Sequence, residues 1–124
     1  MKISTPAIIL VATLAAAQVR ADCDAPDEPR IPDGAQASMQ EMLDAQESVQ
    51  TFQSANMDYL RCLEAAFAGY EKAAQEAEKK TEAAKAMAAY SETVEAYNAA
   101  VAKEESVAEE FNTQIGEFRA ANPG

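Results

Sequence analysis

The chain has 124 residues, with 10 basic against 21 acidic side chains, a net charge of −11, no histidine and no tryptophan. Such a surface disfavours nucleic acid and anionic membrane as partners, because both are polyanions. Without histidine, imidazole-based catalysis and the usual zinc sites lose their central residue.

Residues 1–21 have the pattern of an export signal. Lys2 supplies positive charge, and "AIILVATLAAA", Ala7 to Ala17, is an apolar run too short to span a bilayer. The run ends near "VRA", Val19 to Ala21, small or modest residues suited to a signal peptidase. Cleavage is expected after Ala21, with a cut after Ala17 as the alternative. The expected product is a periplasmic or secreted protein. Loss of Lys2 and Arg20 moves its net charge from −11 to −13. That charge suits a cationic partner, and solubility explains it equally well. Asp22 directly before Cys23 does not suit a lipoprotein signal, so Cys23 reads as a thiol. No second apolar run of membrane length follows, so no membrane insertion is expected after signal removal.

Residues 22–37 form a proline-rich extended arm. Pro26, Pro29 and Pro32 follow Cys23 within ten residues, and the only other cysteine is Cys62. In an oxidising compartment an even pair at distant positions most simply forms one disulfide. An intermolecular bridge or two free thiols are the alternatives. Two cysteines without histidine make a poor structural zinc site, which takes four ligands.

Residues 38–121 are expected to form an antiparallel two-helix hairpin, an all-α, coiled-coil-like fold. "SMQE" opens the first helix, with Ser38 and Glu41 spaced as a capping box. With Met42 as a heptad a position, the a and d places read Met42, Ala45, Val49, Phe52, Asn56, Tyr59, Leu63, Ala66, Tyr70, Ala73 and Ala77. Only Asn56 is polar, so this is a helix seam and not a strand alternation. Lys79 and Lys80 suit a helix C-terminus, and Thr81 suits the next N-cap. The second seam reads Met87, Tyr90, Val94, Tyr97, Val101, Glu104, Ala108, Phe111, Ile115 and Phe118, until "NPG" ends it. The helices are expected over about 39–79 and 82–119. A bent single helix, or a turn as early as Gly69, are the alternatives.

A turn near residue 80 pairs positions whose numbers add to about 160. Val49 then faces Phe111. The two polar exceptions, Asn56 and Glu104, share one layer. Such a layer fixes register at a cost in stability. In the alternative, Glu104 leans out to water.

The hairpin has two grooves. The g positions Ala55, Cys62, Gly69, Thr93, Ala100 and Val107 line one with small residues. The arm is long enough to turn at "IPDG" and run back along it. Ser38 to Cys62 advances about 36 Å along the helix, and an extended arm reaches about 50 Å. A Cys23–Cys62 bond would close a loop of about forty residues and stabilise by roughly 4 kcal/mol. A two-helix protein has a thin core and needs such a staple.

The other groove carries e positions. Met39, Leu60 and Phe67 face Ser91, Asn98, Glu105, Asn112 and Arg119. Leu60 and Phe67 are large for half-exposed places. A partner protein or a second copy in a homodimer would cover them, or they pack over the seam.

No phosphate loop, no nucleophile with a base and no metalloprotease motif occurs, and no cofactor is expected. Glu105 and Glu109 share a helix face, but hard cations want six or more oxygens. A solvated acidic face is the simpler reading. Met39, Met42, Met57 and Met87 read as core and not as a copper site.

The order of "CDAPDEPRIPDGA", "EMLDAQESVQTF", "YLRCLE", "AYNAAV" and "EEFNTQIGEFRA" resembles a group of small exported bacterial proteins of uncharacterised function. The resemblance implies a periplasmic or envelope setting and supports pairing the two cysteines. It supplies no catalytic or binding residues. The leading expectation is a non-enzymatic envelope protein acting as a helical interaction or structural module. A periplasmic chaperone or stress protein, or a weak divalent-cation module, are the alternatives.

Overall fold

The structure is a computed structural model that describes residues 23–124. The expected signal segment and both cleavage positions lie outside the described residues. Two helices follow the arm: α1, Met39–Glu76, and α2, Lys80–Ala121. They pack on each other in opposite directions, since Asn56 meets Ala100 and Glu104 while Phe67 meets Tyr90. At 1.5 Å per residue they are about 57 and 63 Å long.

The start of α1 is the capping box that "SMQE" encodes. Ser38 Oγ accepts from the Glu41 amide at 3.1 Å, and the Ser38 amide donates to the Glu41 carboxylate at 2.7 Å. Two amides that no carbonyl of the first turn can reach are thereby satisfied. The end of α2 is set by Asn122. Its backbone and side-chain amides both donate to the Phe118 carbonyl, at 3.0 and 2.9 Å. Pro123 follows and cannot extend the helix.

The turn differs from expectation. It is three residues, 77–79, and uses no glycine or proline. Ala77 and Lys79 both adopt extended backbone, φ −66°, ψ 127° and φ −102°, ψ 137°. Lys79, not Thr81, is the N-cap, and its side chain makes no capping bond. Lys79 and Lys80 do not close α1, whose last turn holds no basic residue. In so tight a turn the negative end of α1 lies beside the positive end of α2. Lysines there feel both ends, and the two macrodipole contributions largely cancel.

The core is concentrated in the open half of the hairpin. Val49, Phe52 and Val107 form it, with Ile31 and Phe111 packed against them. Met42, Ala45, Asn56 and Leu63 continue the buried row on α1 as the heptad count predicts. Nearer the turn the count slips by one: Ala73 is exposed and Ala74 half-buried. A straight α-helix drifts by about 20° per heptad against a 3.5-residue repeat. No residue of α1 after Leu63, and none of α2 before Ala100, is fully buried. Alanines at Ala66, Ala74, Ala77, Ala83 and Ala86 line this thin half.

On α2 the two fully buried residues are Ala100 and Val107, both g positions. Val107, at 1% exposure, is more enclosed than any seam residue. The arm is the reason. It covers the g side, so α2 buries three positions per heptad where a bare hairpin would bury two.

Candidate functional site

The arm is held at four levels. Cys23 bonds Cys62 with the Cα atoms 5.6 Å apart. Glu28 pairs with Lys103 at 3.0 Å, both about half exposed, which contributes little. Ile31 packs on Val49, Phe52 and Val107. Gly34 is buried, and its amide donates to Gln114 Oε1 at 2.7 Å. The chain then reverses at the end of "IPDG". The Gln36 and Ala37 amides bond the Asp33 carbonyl, and the Ala35 amide bonds the Asp33 carboxylate. That is an Asx turn, the local preference of aspartate before glycine.

Gly34 carries the closest approach. A Cβ there would collide with the Gln114 carbonyl and lie 3.0 Å from the Phe118 nitrogen. The sequence marks Gly34 only as part of a turn. Its φ is not positive, so space and not conformation requires glycine here.

Asn56 and Glu104 share the expected layer. Asn56 is 2% exposed, and its Nδ2 donates to the Ala100 carbonyl at 3.1 Å and to Glu104 Oε2 at 2.9 Å. Glu104 is half-buried and does not merely point to water. No buried side-chain nitrogen or oxygen among the described residues lacks a partner. This layer ties α1 to α2 through two hydrogen bonds from one buried amide.

Leu60 and Phe67 are each half-buried. The Phe67 ring meets Tyr90 and Tyr97 edge-on, with centroids at 5.9 and 6.0 Å. Phe67 therefore packs over the seam. Beside it the Tyr97 hydroxyl donates to Glu64 at 3.2 Å. That bond, then the Glu64 charge, then a little burial raise the Tyr97 pKa above its ordinary value.

The methionines depart from expectation. Only Met42 is core. Met39, Met57 and Met87 are 60%, 52% and 47% exposed, with Leu43 at 49%. Met87 falls in the seam by count, yet α2 there turns Ala83, Ala86 and Ala89 inward. An apolar groove of about 480 Å³ opens at the free ends of the hairpin. Met39, Met42, Leu43, Phe111, Ile115 and Phe118 line it. Among the described residues no group of three or more acidic or cysteine side chains is placed to hold a metal ion. Glu105 and Glu109 both face solvent.

No protein-family model, curated protein or solved structure matches this chain.

Proposed function

We propose that the chain is a non-enzymatic, exported protein of the periplasm or envelope that acts through its surface as a helical interaction or structural module. One observation carries this reading. A disulfide-fastened rod presents Met39, Leu43 and Met57, each about half exposed or more, on one helix. Large apolar side chains held out on a rigid element are what a partner surface needs. The disulfide supports an oxidising compartment. No helix of the described residues is long and apolar enough to cross a membrane. The acidic surface favours a neutral or cationic partner over a polyanion.

The test is a photo-reactive side chain at position 43, with a control at exposed Ser106, in cells that export the protein. Adducts at 43 and none at 106 are expected. Equal labelling at both, or none at either, removes the reading. The exposed methionines favour a second reading, a chaperone that transiently holds unfolded apolar segments. Failure to suppress aggregation of a denatured client at stoichiometric amounts eliminates it.

A further inference from the structure

This inference rests on the surface-acting reading and names the partner. A second heptad stripe runs along α1 beside the buried seam: Met39, Leu43, Gln46, Gln50, Gln53, Met57 and Leu60. Its steps alternate four and three, the spacing that keeps a row on one helix face. None of the seven is charged, in a chain where a quarter of residues are. Charge resumes at Glu64. A solvated face gains nothing from methionine and leucine at this spacing, whereas a packed helix does.

The order of polarity is apolar, apolar, amide, amide, amide, apolar, apolar. It reads the same in both directions about Gln50. A two-fold interface must be complementary to itself in this way when its helices run antiparallel. We infer that this face packs against a second copy of the chain, α1 on α1, antiparallel, with the two-fold axis at Gln50. Met39 then meets Leu60 of the second copy, and Leu43 meets its Met57. Gln46 meets Gln53 of the second copy, and Gln50 meets itself. Each glutamine amide both donates and accepts, so facing glutamines satisfy one another.

Two further features fit the same axis. The groove lined by Met39, Leu43, Phe111, Ile115 and Phe118 lies where Met57 and Leu60 of the second copy arrive. On α2, the level of Gln50 falls near residue 108. An axis there sets Glu105 across from Asn112 of the second copy, and Asn98 across from its Arg119. A parallel pair would instead set Glu105 on Glu105 and Arg119 on Arg119, like on like. Glu109 falls near the axis opposite its own copy and opposes the pairing.

The contact is about 32 Å long and one helix, about 10 Å, wide. That footprint, about 320 Å² on each copy, is below the standard size of stable interfaces and belongs with weak, transient pairings, so the dimer is expected only at high protein concentration. The test is sedimentation equilibrium of the mature, disulfide-intact chain from about 1 to about 500 µM. A reversible monomer–dimer equilibrium is expected. Leu43→Glu, or Met57→Glu should the first variant melt early, weakens it by about 100-fold or more, because each dimer carries the change twice. Gln50→Cys joins two copies with a short thiol cross-linker, and Gln46→Cys does not. A monomer throughout overturns the inference, as does a dimer indifferent to Leu43→Glu or cross-linking equally at 46 and 50. If the chain is monomeric while position 43 still labels another protein, this inference fails and the proposed function stands. If neither forms, both fail.

Discussion

Gly34→Ala is the substitution whose effect the geometry fixes most sharply. The added methyl would overlap the Gln114 carbonyl and press on the Phe118 nitrogen, both main-chain atoms inside α2. A helix backbone cannot yield at that point, so the arm must lift. Lifting breaks the bond from the Gly34 amide to Gln114, worth about 1 kcal/mol. It also draws the half-buried Ile31 away from Val49, Phe52 and Val107, worth about 1–2 kcal/mol. The disulfide holds only the far end of the arm, at Cys23, and does not resist this. The expected loss is about 2–3 kcal/mol, a fall in Tm of roughly 10–15 °C for a domain of this size. Gly69 and Gly116 are internal controls. Each lies within a helix with nothing within 4 Å of an added Cβ. Gly69→Ala and Gly116→Ala should each stabilise by about 0.5–1 kcal/mol. The assay is urea denaturation followed by circular dichroism on all three variants. A Gly34→Ala protein as stable as the parent would refute the close-packed arm.

Replacing Cys23 and Cys62 together by serine should cost about 4 kcal/mol by loop-closure entropy, read as the shift in denaturation midpoint. Asn56→Ala should cost about 2–3 kcal/mol, because it strands the half-buried Glu104 carboxylate. The pair Asn56→Leu with Glu104→Leu should recover most of that loss in a double-mutant cycle, and no recovery would count against the shared layer. Lys79→Asp should add about 1 kcal/mol, since residue 79 has N-cap geometry without a capping side chain. Tyr97 should ionise above the ordinary tyrosine range, and Glu64→Gln should bring it down, in an ultraviolet titration of the phenolate. With a raised folded-state pKa, its bond to Glu64 contributes below the ordinary tyrosine value and is lost as pH rises through the folded value.

Helix periodicity, the capping box and the shared Asn56–Glu104 layer were legible because each depends on residues within a few turns or on one count carried along a helix. The register follows from placing two polar exceptions together, and the bond between them is there. The turn was harder. An alanine-rich run has equal helix propensity at every step, and no glycine or proline marks where it folds back. Methionine at helical spacing suggests core, yet Met39 and Met57 stand at e and b positions beside the seam, and at Met87 small alanines fill the interface instead. Along the sequence, Phe67 at an e position is a large apolar side chain with no seam partner. Tyr90 and Tyr97, over twenty residues away in sequence, enclose one side of it.

Two amphipathic helices, their polar layer and a cysteine at each end of a reachable span can all be read along the chain. Those are matters of local propensity, period and chain length. Three-dimensional packing is what makes Val107 the most enclosed side chain among the described residues, requires glycine at Gly34, and puts the core in the half the arm covers. Each of these depends on a segment laid across both helices. Its backbone approaches α2 more closely than any side-chain pattern along either helix could announce.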